Sequence, residues 1–221
     1  MTTPEFKDEP LNKFVSNDEA LWRKTFDALW SDNAFIAKNF EKKSFYNFEC
    51  TTEKQKKLVE ILRNRPVDDN VGIWFAGKAG TGKTHLMTAL MNSLAWLWLY
   101  QYPTLSGRFK FYNYADLCGV LRDDPNNFDK FHKIRSPRFL FIDDLGVSRT
   151  SDFVQEKIYS IFNYRCENEL PTFVTTNLTI KEVSQEFTER LSSRIKESSV
   201  WVEVDSEKDY RNKNFIANME K

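Results

Sequence analysis

Three of the chain's seven glycines lie within six positions, in the stretch FAGKAGTGKTHL at residues 76–87. Read from Gly77, this stretch has the spacing G-x-x-x-x-G-K-T of a phosphate-binding loop. Glycine tolerates the positive φ angles at which backbone N–H groups can turn towards a polyphosphate. A helix that begins directly after the loop adds free amides and a dipole that favours anions. The stretch therefore predicts a nucleotide-binding site.

The side chains of this loop have expected roles. Lys83 would reach the β- and γ-phosphates, and the Thr84 hydroxyl would bind Mg²⁺. The alternative is a glycine-rich turn that carries Lys-Thr by coincidence. However, the loop follows the apolar run VGIWFA and precedes a long segment of helix-forming residues, which is the context this motif requires. We expect ATP or ADP with Mg²⁺ to bind to nine residues: Gly77, Lys78, Ala79, Gly80, Thr81, Gly82, Lys83, Thr84 and His85.

Two carboxylates and an amide follow two further apolar runs. RFLFIDDLG, at residues 138–146, predicts a strand that ends in Asp143 and Asp144. Parallel strands present their carboxyl ends to a ligand crevice, so Asp143 would hold Mg²⁺ or its water shell and Asp144 would orient the attacking water. PTFVTTNL, at residues 171–178, ends in Asn177, whose amide could contact the γ-phosphate. Each strand end alone could be a solvated turn, but beside the glycine-rich loop they predict an ATPase site.

Strands and helices that would position these residues alternate along the chain. Apolar runs predict strands at residues 71–76, 108–113, 138–143, 171–176 and 200–204. Helical segments are predicted near residues 83–100, 114–134, 152–168 and 180–196. This alternation predicts an α/β fold, in which a parallel sheet carries helices on both faces. A further helix is predicted within residues 44–66, capped by Thr51 or Thr52, with Leu58, Val59, Ile61 and Leu62 on its apolar face.

Residues 1–43 are predicted to form a short helical extension before an ATPase domain at residues 44–221. The stretch SNDEALWRKTFDALW opens with a capping box at Ser16 and Glu19. Its apolar side chains then fall on one helical face: Trp22, Phe26, Leu29 and Trp30. Two interpretations stay open, because this face could pack on the chain's own ATPase domain or enter a partner's groove.

Composition excludes several classes of protein. Lys and Arg total 32 and Asp and Glu total 32, so the net charge is zero and a broad basic surface for duplex DNA is not expected. Three cysteines lack the spacing of a metal site. The polar start does not resemble a signal peptide, and the longest apolar run, LAWLWLY, is too short to span a membrane. We expect a cytoplasmic protein without a membrane partner.

The order of the motifs carries a resemblance to a known family. GKAGTGKTH, FLFIDDLG, FVTTNL, ERLSSR and DYR succeed one another within residues 44–212. This series resembles the AAA+ ATPases of the bacterial and phage replicative helicase loader group, the DnaC/DnaI-type loaders, which are related to the IstB-type ATPases. The resemblance implies a P-loop AAA+ (ASCE) fold, with a five-stranded parallel sheet of order 5-1-4-3-2 and no C-terminal lid.

The resemblance also assigns roles to residues. Lys83 and Thr84 match the Walker A motif, and Asp143 and Asp144 match the Walker B pair. The catalytic residues that it implies are Asp144, Asn177, Arg194 and Arg211, of which Asn177 matches sensor 1 and Arg211 matches the sensor 2 arginine. Arg194 matches an arginine finger that enters a neighbouring subunit's site, with Arg190 as its substitute.

The function implied by the resemblance is that of an ATP-dependent loader with slow ATPase activity. It would bind a replicative helicase through residues 1–43, form a homo-oligomer on binding ATP and bind single-stranded DNA weakly. Residues 114–134 match the position of the extra helix that loaders use near DNA, although they could also be an ordinary helix that covers the sheet.

Two other functions stay open. An IstB-type transposition ATPase would act on duplex DNA and usually carries more positive charge. A nucleotide-gated adaptor would bind ATP or ADP with little hydrolysis. The adaptor stays open because Asp144 stands where many AAA+ enzymes have glutamate. The glutamate side chain is one methylene longer, so aspartate would position the attacking water less well.

Overall fold

The computed structural model describes residues 42–102, 107–124, 127–147 and 150–206, together with Asp27 and Phe40. The predicted helix near the start of the chain and Arg211 lie outside the described residues. Five strands form one parallel sheet in the order β2-β3-β4-β1-β5, which confirms the predicted order read from its other edge. The strands are β1 Gly72–Ala76, β2 Phe109–Asn113, β3 Phe139–Leu145, β4 Thr172–Thr176 and β5 Ser199–Glu203.

Seven helices are described around the sheet: α1 Glu53–Arg63, α2 Lys83–Gln101, α3 Tyr114–Asp123, α4 Phe128–Arg135, α5 Asp152–Glu167, α6 Ile180–Glu186 and α7 Glu189–Ser198. Alternate side chains of each central strand enter two separate cores, as the pleat of a strand requires. Phe75, Phe141 and Phe173 pack with α1 and α2 on one face. Trp74, Ile142 and Val174 pack with α3, α5 and α7 on the other. None of the helices in the described part of the chain is long and apolar enough to cross a membrane.

Helix α2 is buried on more than one side. Leu90 lies in the core, Ala89 and Met91 on nearly opposite sides of the helix are buried too, and the segment that begins at Phe40 packs with the same cluster. The Asn92 side-chain amide donates hydrogen bonds to the carbonyls of Phe40 at 3.2 Å and Lys43 at 2.7 Å. A helix that is apolar all round is typical of such a covered position. The described residues before α1 therefore pack against α2, the helix that follows the glycine-rich loop, and are hydrogen-bonded to it.

Two predicted helical segments are each divided in the structure. Residues 114–134 form α3 and α4, because Pro125 cannot continue a helix and disfavours a helical conformation at Asp124, whose φ is −143°. Residues 180–196 form α6 and α7, because Thr188 adopts an extended conformation and its hydroxyl caps the Leu191 amide.

The structure corrects two further predictions of local detail. Strand β3 continues to Leu145, two residues beyond the predicted end at Asp143, so Asp144 also lies inside the strand. The cap of α1 is Thr52, but Ile61 is 69% exposed and does not belong to the buried face, which Val59 and Leu62 form instead. In this short helix, a position one residue from Leu62 already points away from the core.

Candidate nucleotide-binding site

The glycine-rich loop joins β1 to α2 in the strand–loop–helix order that its motif requires. Gly77, Gly80 and Gly82 have φ angles of 151°, 81° and 93°, which side chains disfavour. A Cβ atom on Gly77 would lie 2.5 Å from the Val204 carbonyl oxygen, directly after β5. Gly82 begins α2 without a side-chain cap, which leaves the first helix amides available to an anion.

Lys83 links the loop to the neighbouring strand β4. Its ammonium group donates hydrogen bonds to the carbonyls of Gly77 at 2.9 Å and Lys78 at 2.7 Å, and to Asn177 Oδ1 at 2.8 Å. The side chain is buried, and the charge of its ammonium also lowers the pKa of Asp143 on strand β3. A buried cation is stabilised by a negative charge, so the ammonium is placed to receive a phosphate.

Thr84 and Asp143 form the candidate magnesium site. The Thr84 hydroxyl donates to Asp143 Oδ1 at 2.8 Å, between the start of α2 and strand β3. A hydroxyl and a carboxylate this close fit the preference of Mg²⁺ for oxygen ligands. Burial raises the pKa of Asp143 and the Asp144 carboxylate adds to this, whereas hydrogen bonds from Thr175 and Thr84 lower it. A cation would therefore stabilise the ionised form of this buried carboxyl.

Thr175 is a site residue that the sequence prediction missed. Its hydroxyl donates to Asp143 Oδ1 at 2.5 Å and accepts from the Asp144 backbone amide at 2.8 Å. The signal in the sequence was a hydroxyl residue inside the apolar strand PTFVTTNL, since a buried polar group needs hydrogen-bond partners. The partners of the Thr175 hydroxyl depend on how strand β3 is aligned beside β4, and the sequence does not give that alignment.

The His85 side chain contacts residues before α1. Its Nε2 atom lies 3.0 Å from the Ser44 carbonyl oxygen and 3.0 Å from Asn47 Oδ1, and the ring meets Phe48 edge to face. Thus the structure brings Lys83, Thr84, Asp143 and Asn177 together, while the His85 ring packs against the segment before α1.

The predicted arginine finger is on a different element from these groups. Arg194 is on α7, where it pairs with Glu197 at 2.8 Å and is partly exposed. Arg190, one turn earlier, is exposed. Neither takes part in the hydrogen bonds of Thr84 or Asp143 described above. A catalytic role for either arginine, in a neighbouring subunit's site, stays a prediction.

Comparison with known proteins identifies the family. The family model of the IstB-like ATP binding protein matches residues 9–215. The chain belongs to the IstB-like ATP-binding family. Among the curated relatives of this IstB-like protein, YqaM of Bacillus subtilis is 31% identical over 212 residues, and the replicative helicase loader DnaC of Escherichia coli K12 is 27% identical over 169 residues. The matches cover 87% and 72% of this chain, but only 64% and 65% of those relatives.

Solved structures show the same fold as the IstB-like chain. The DnaC helicase loader superposes with a TM-score of 0.64 at 25% identity, covering 76% of this chain and all of that one. DnaI superposes with a TM-score of 0.65 at 21% identity, covering 80% and 95%. The replication initiator DnaA, bound to AMPPCP and single-stranded DNA, has a TM-score of 0.60 at 19% identity, covering 81% and 55%. The IstB-like chain therefore has a P-loop AAA+ fold, and its relatives include helicase loaders.

Proposed function

We propose that this IstB-like protein is an ATP-dependent loader that binds a replicative helicase and helps to place it on single-stranded DNA when replication begins. An ATPase is supported by two hydrogen-bonded pairs that meet beside the loop, Lys83 with Asn177 and Thr84 with Asp143. The helicase as partner is supported by relatives and neighbours named as helicase loaders.

In this proposal the phosphates of ATP replace the oxygens that now surround Lys83. The ammonium moves from Asn177 Oδ1 to the β- and γ-phosphates, and the amides at the start of α2 bind the phosphate oxygens. Thr84 and Asp143 would hold Mg²⁺, which would supply positive charge against the phosphates. Asn177, released from Lys83, is then free to orient the γ-phosphate. Asp144 orients the attacking water, and its short side chain makes slow hydrolysis the expected result.

The proposed contact with single-stranded DNA uses an aromatic–basic face on α4 and α5, of which two rings are exposed. This face consists of Phe128, Phe131, Arg135, Phe153 and Lys157. Phe128 is 82% and Phe153 is 40% exposed. Lys157 Nζ lies 4.8 Å from the Phe131 ring centre and 5.4 Å from that of Phe153, and the Arg135 guanidinium lies 5.2 Å from the Phe131 ring. Exposed rings can stack on bases while adjacent cations meet the phosphates, without a large net charge.

Nucleotide binding is tested by thermal unfolding. At about 100 times Kd, Mg·ATP should stabilise the folded protein by about 2.7 kcal/mol. In a chain of this length that raises Tm by about 5–10 °C. Lys83→Ala should remove most of the rise, whereas Lys78→Ala, which changes a loop side chain but keeps the carbonyl at that position, should retain it. A wild-type protein whose Tm does not change with any adenine or guanine nucleotide would contradict the proposal.

DNA binding is tested on the aromatic–basic face. The double variant Phe128→Ala, Phe153→Ala should weaken binding of a labelled single strand by about 1–3 kcal/mol for each stacked base that is lost. Tyr46→Ala is the matched control, because Tyr46 is 77% exposed but lies before α1 and outside this face. Duplex binding that equals or exceeds single-strand binding at the same salt concentration would favour the transposition ATPase. Steady-state hydrolysis, measured with and without single-stranded DNA and helicase, separates a loader from an adaptor with little turnover.

A further inference from the structure

Strands β3 and β4 lose their regular register beside the two aspartates. The ladder pairs Ile142 with Val174 and then Leu145 with Thr176. Two residues of β3, Asp143 and Asp144, therefore lie opposite one residue of β4, Thr175. An insertion of this kind is a β-bulge, which bends the strand and redirects its side chains.

The bulge matters because of where it lies. Successive side chains of a regular strand point to opposite faces of the sheet, so adjacent aspartates would be separated. Here Asp144 has a φ of 56°, in the left-handed region that residues other than glycine seldom adopt. The regular alternation is thus interrupted at the acid pair itself. An interruption of this kind needs a local contact that compensates for the lost ladder hydrogen bonds.

Thr175 supplies that contact through a single hydroxyl. The residue is fully buried, and its hydroxyl donates to Asp143 Oδ1 at 2.5 Å while it accepts from the Asp144 amide at 2.8 Å. A hydroxyl has one donor hydrogen and two acceptor lone pairs, so one group can make both bonds. The same Asp143 oxygen accepts from Thr84 at 2.8 Å. Thr175 therefore contacts both members of the acid pair from the strand that carries Asn177.

We propose that Thr175 is a positioning residue of the ATPase site, which holds the Asp143 carboxylate against Thr84 and anchors the backbone of Asp144. The inference rests on the proposed function, because it concerns the same Mg·ATP site. Thr175 acts through the two aspartates and binds neither metal nor nucleotide itself. Without the Thr175 hydroxyl, the Asp143 carboxylate can rotate about its Cβ–Cγ bond. The Asp144 backbone amide then also loses the hydrogen bond that holds it in place.

Three substitutions separate positioning from simple support of the core. Thr175→Val has nearly the same shape but loses both hydrogen bonds, and Thr175→Ser restores them. The matched control is Thr172→Val, which removes a buried hydroxyl at the other end of β4, where it accepts from the Arg165 Nε atom at 2.8 Å. The measurements are Tm without nucleotide, ATP binding without metal, the Mg²⁺ concentration that gives half of the ATP-induced rise in Tm, and kcat with KM.

Substitutions that disturb the partners of metal ligands typically change metal affinity or activity by 10–100-fold. We expect Thr175→Val to raise the half-maximal Mg²⁺ concentration by about tenfold or more and to lower kcat by a similar factor. ATP binding without metal should be unchanged. Thr175→Ser should stay close to wild type, and Thr172→Val should lower Tm without changing the Mg²⁺ requirement. If Thr175→Val does not fold, Thr175→Cys, whose thiol is a weaker donor, should still raise the Mg²⁺ requirement.

The outcomes separate this inference from the function on which it rests. If wild type shows no Mg·ATP-dependent rise in Tm, the proposed function fails. If wild type shows the rise, but Thr175→Val or the Cys variant has a wild-type Mg²⁺ requirement and kcat, the positioning role of Thr175 is overturned. The same holds if Thr172→Val changes the Mg²⁺ requirement as much as Thr175→Val does, because the effect would then follow from general loss of stability.

Discussion

The His85 ring is half-buried between the start of α2 and the chain before α1. Its Nε2 atom lies 3.0 Å from the Ser44 carbonyl oxygen and 3.0 Å from Asn47 Oδ1. Burial lowers the pKa of His85, and the cation of Lys43 lowers it too, while the hydrogen bond to the Ser44 carbonyl acts in the opposite direction. The folded protein therefore binds a proton at His85 less readily than the unfolded chain does.

This difference predicts how stability depends on pH. The contribution of neutral His85 is fully present above the ordinary histidine pKa of about 6.5 and is lost as pH falls from there through the lower pKa of the folded state, because the unfolded chain binds more protons in that range. His85→Gln should therefore lose less stability than wild type between pH 7.5 and pH 5.5, as measured by Tm. A change of about 1 kcal/mol corresponds to about 2–4 °C in a chain of this size.

The control is Ser93→Ala on the same helix α2. It removes no group that titrates in this pH range, so it should keep the wild-type dependence of Tm on pH. If His85→Gln has the same pH dependence as wild type, His85 does not titrate differently in the two states.

At the scale of elements, Arg165 joins helix α5 to the starts of two strands. The side chain is wholly buried, and burial lowers the pKa of Arg165 to about 9. Its five N–H groups are matched by five acceptors: the carbonyls of Arg135, Pro137, Arg138 and Pro171 and the hydroxyl of Thr172. These acceptors lie just before or at the first residues of β3 and β4. This is the amino-terminal end of the strands, and the glycine-rich loop lies at their carboxyl-terminal end.

Arg165→Met should therefore weaken the fold and leave the site intact. The methionine side chain has a similar length but donates no hydrogen bonds. Each buried acceptor that is left unsatisfied lowers the free energy of unfolding by about 1–3 kcal/mol. We expect the free energy of unfolding in urea to fall by at least about 3 kcal/mol. Glu167→Gln, on the exposed side of the same helix, should change it by less than about 0.5 kcal/mol. A loss below about 1 kcal/mol for Arg165→Met would mean that water or a rearranged backbone satisfies these carbonyls.

At the scale of the whole molecule, residues 1–43 stay a proposed docking element for the helicase. Because Asn92 holds the carbonyls of Phe40 and Lys43 on α2, a truncation is best placed before Phe40. The chain without residues 1–39 should fold and keep its rise in Tm with Mg·ATP. It should no longer co-purify with the replicative helicase. Aggregation, or loss of the rise in Tm, would instead assign residues 1–39 to the ATPase core.

Assembly of subunits is the second prediction at this scale. If Arg194 acts in a neighbouring site, Arg194→Ala should bind ATP but lose turnover, and arginine fingers elsewhere contribute about 10³–10⁵ in rate. Mixing it with Lys83→Ala should restore some hydrolysis, because each variant supplies the half of a shared site that the other lacks. Lys196→Ala, at an exposed position of the same helix, is the control and should keep activity. Absence of rescue at every ratio, where wild type assembles, would contradict a shared site.

Much of this architecture could be predicted because its signals are local. The glycine spacing, the apolar strands and the helical repeat of Val154, Ile158 and Ile161 each depend on neighbours in sequence, and all three of these side chains are buried. The divided helices were missed although Pro125 and Thr188 were visible, because apolar spacing on both sides continued across the break. The catalytic roles of Asp144, Asn177, Arg194 and Arg211 stay predictions.

The sequence by itself determined the class of fold and the chemistry of the loop. The pattern G-x-x-x-x-G-K-T and alternating strands and helices admit few other arrangements of this chain. Only the tertiary structure decided the bulge at Asp143 and Asp144, the contact of Thr175 with both, and the turn of the His85 ring towards Ser44. These depend on which residues of distant segments lie opposite one another. Register between strands is set by packing of the whole sheet, and no spacing within one strand records it.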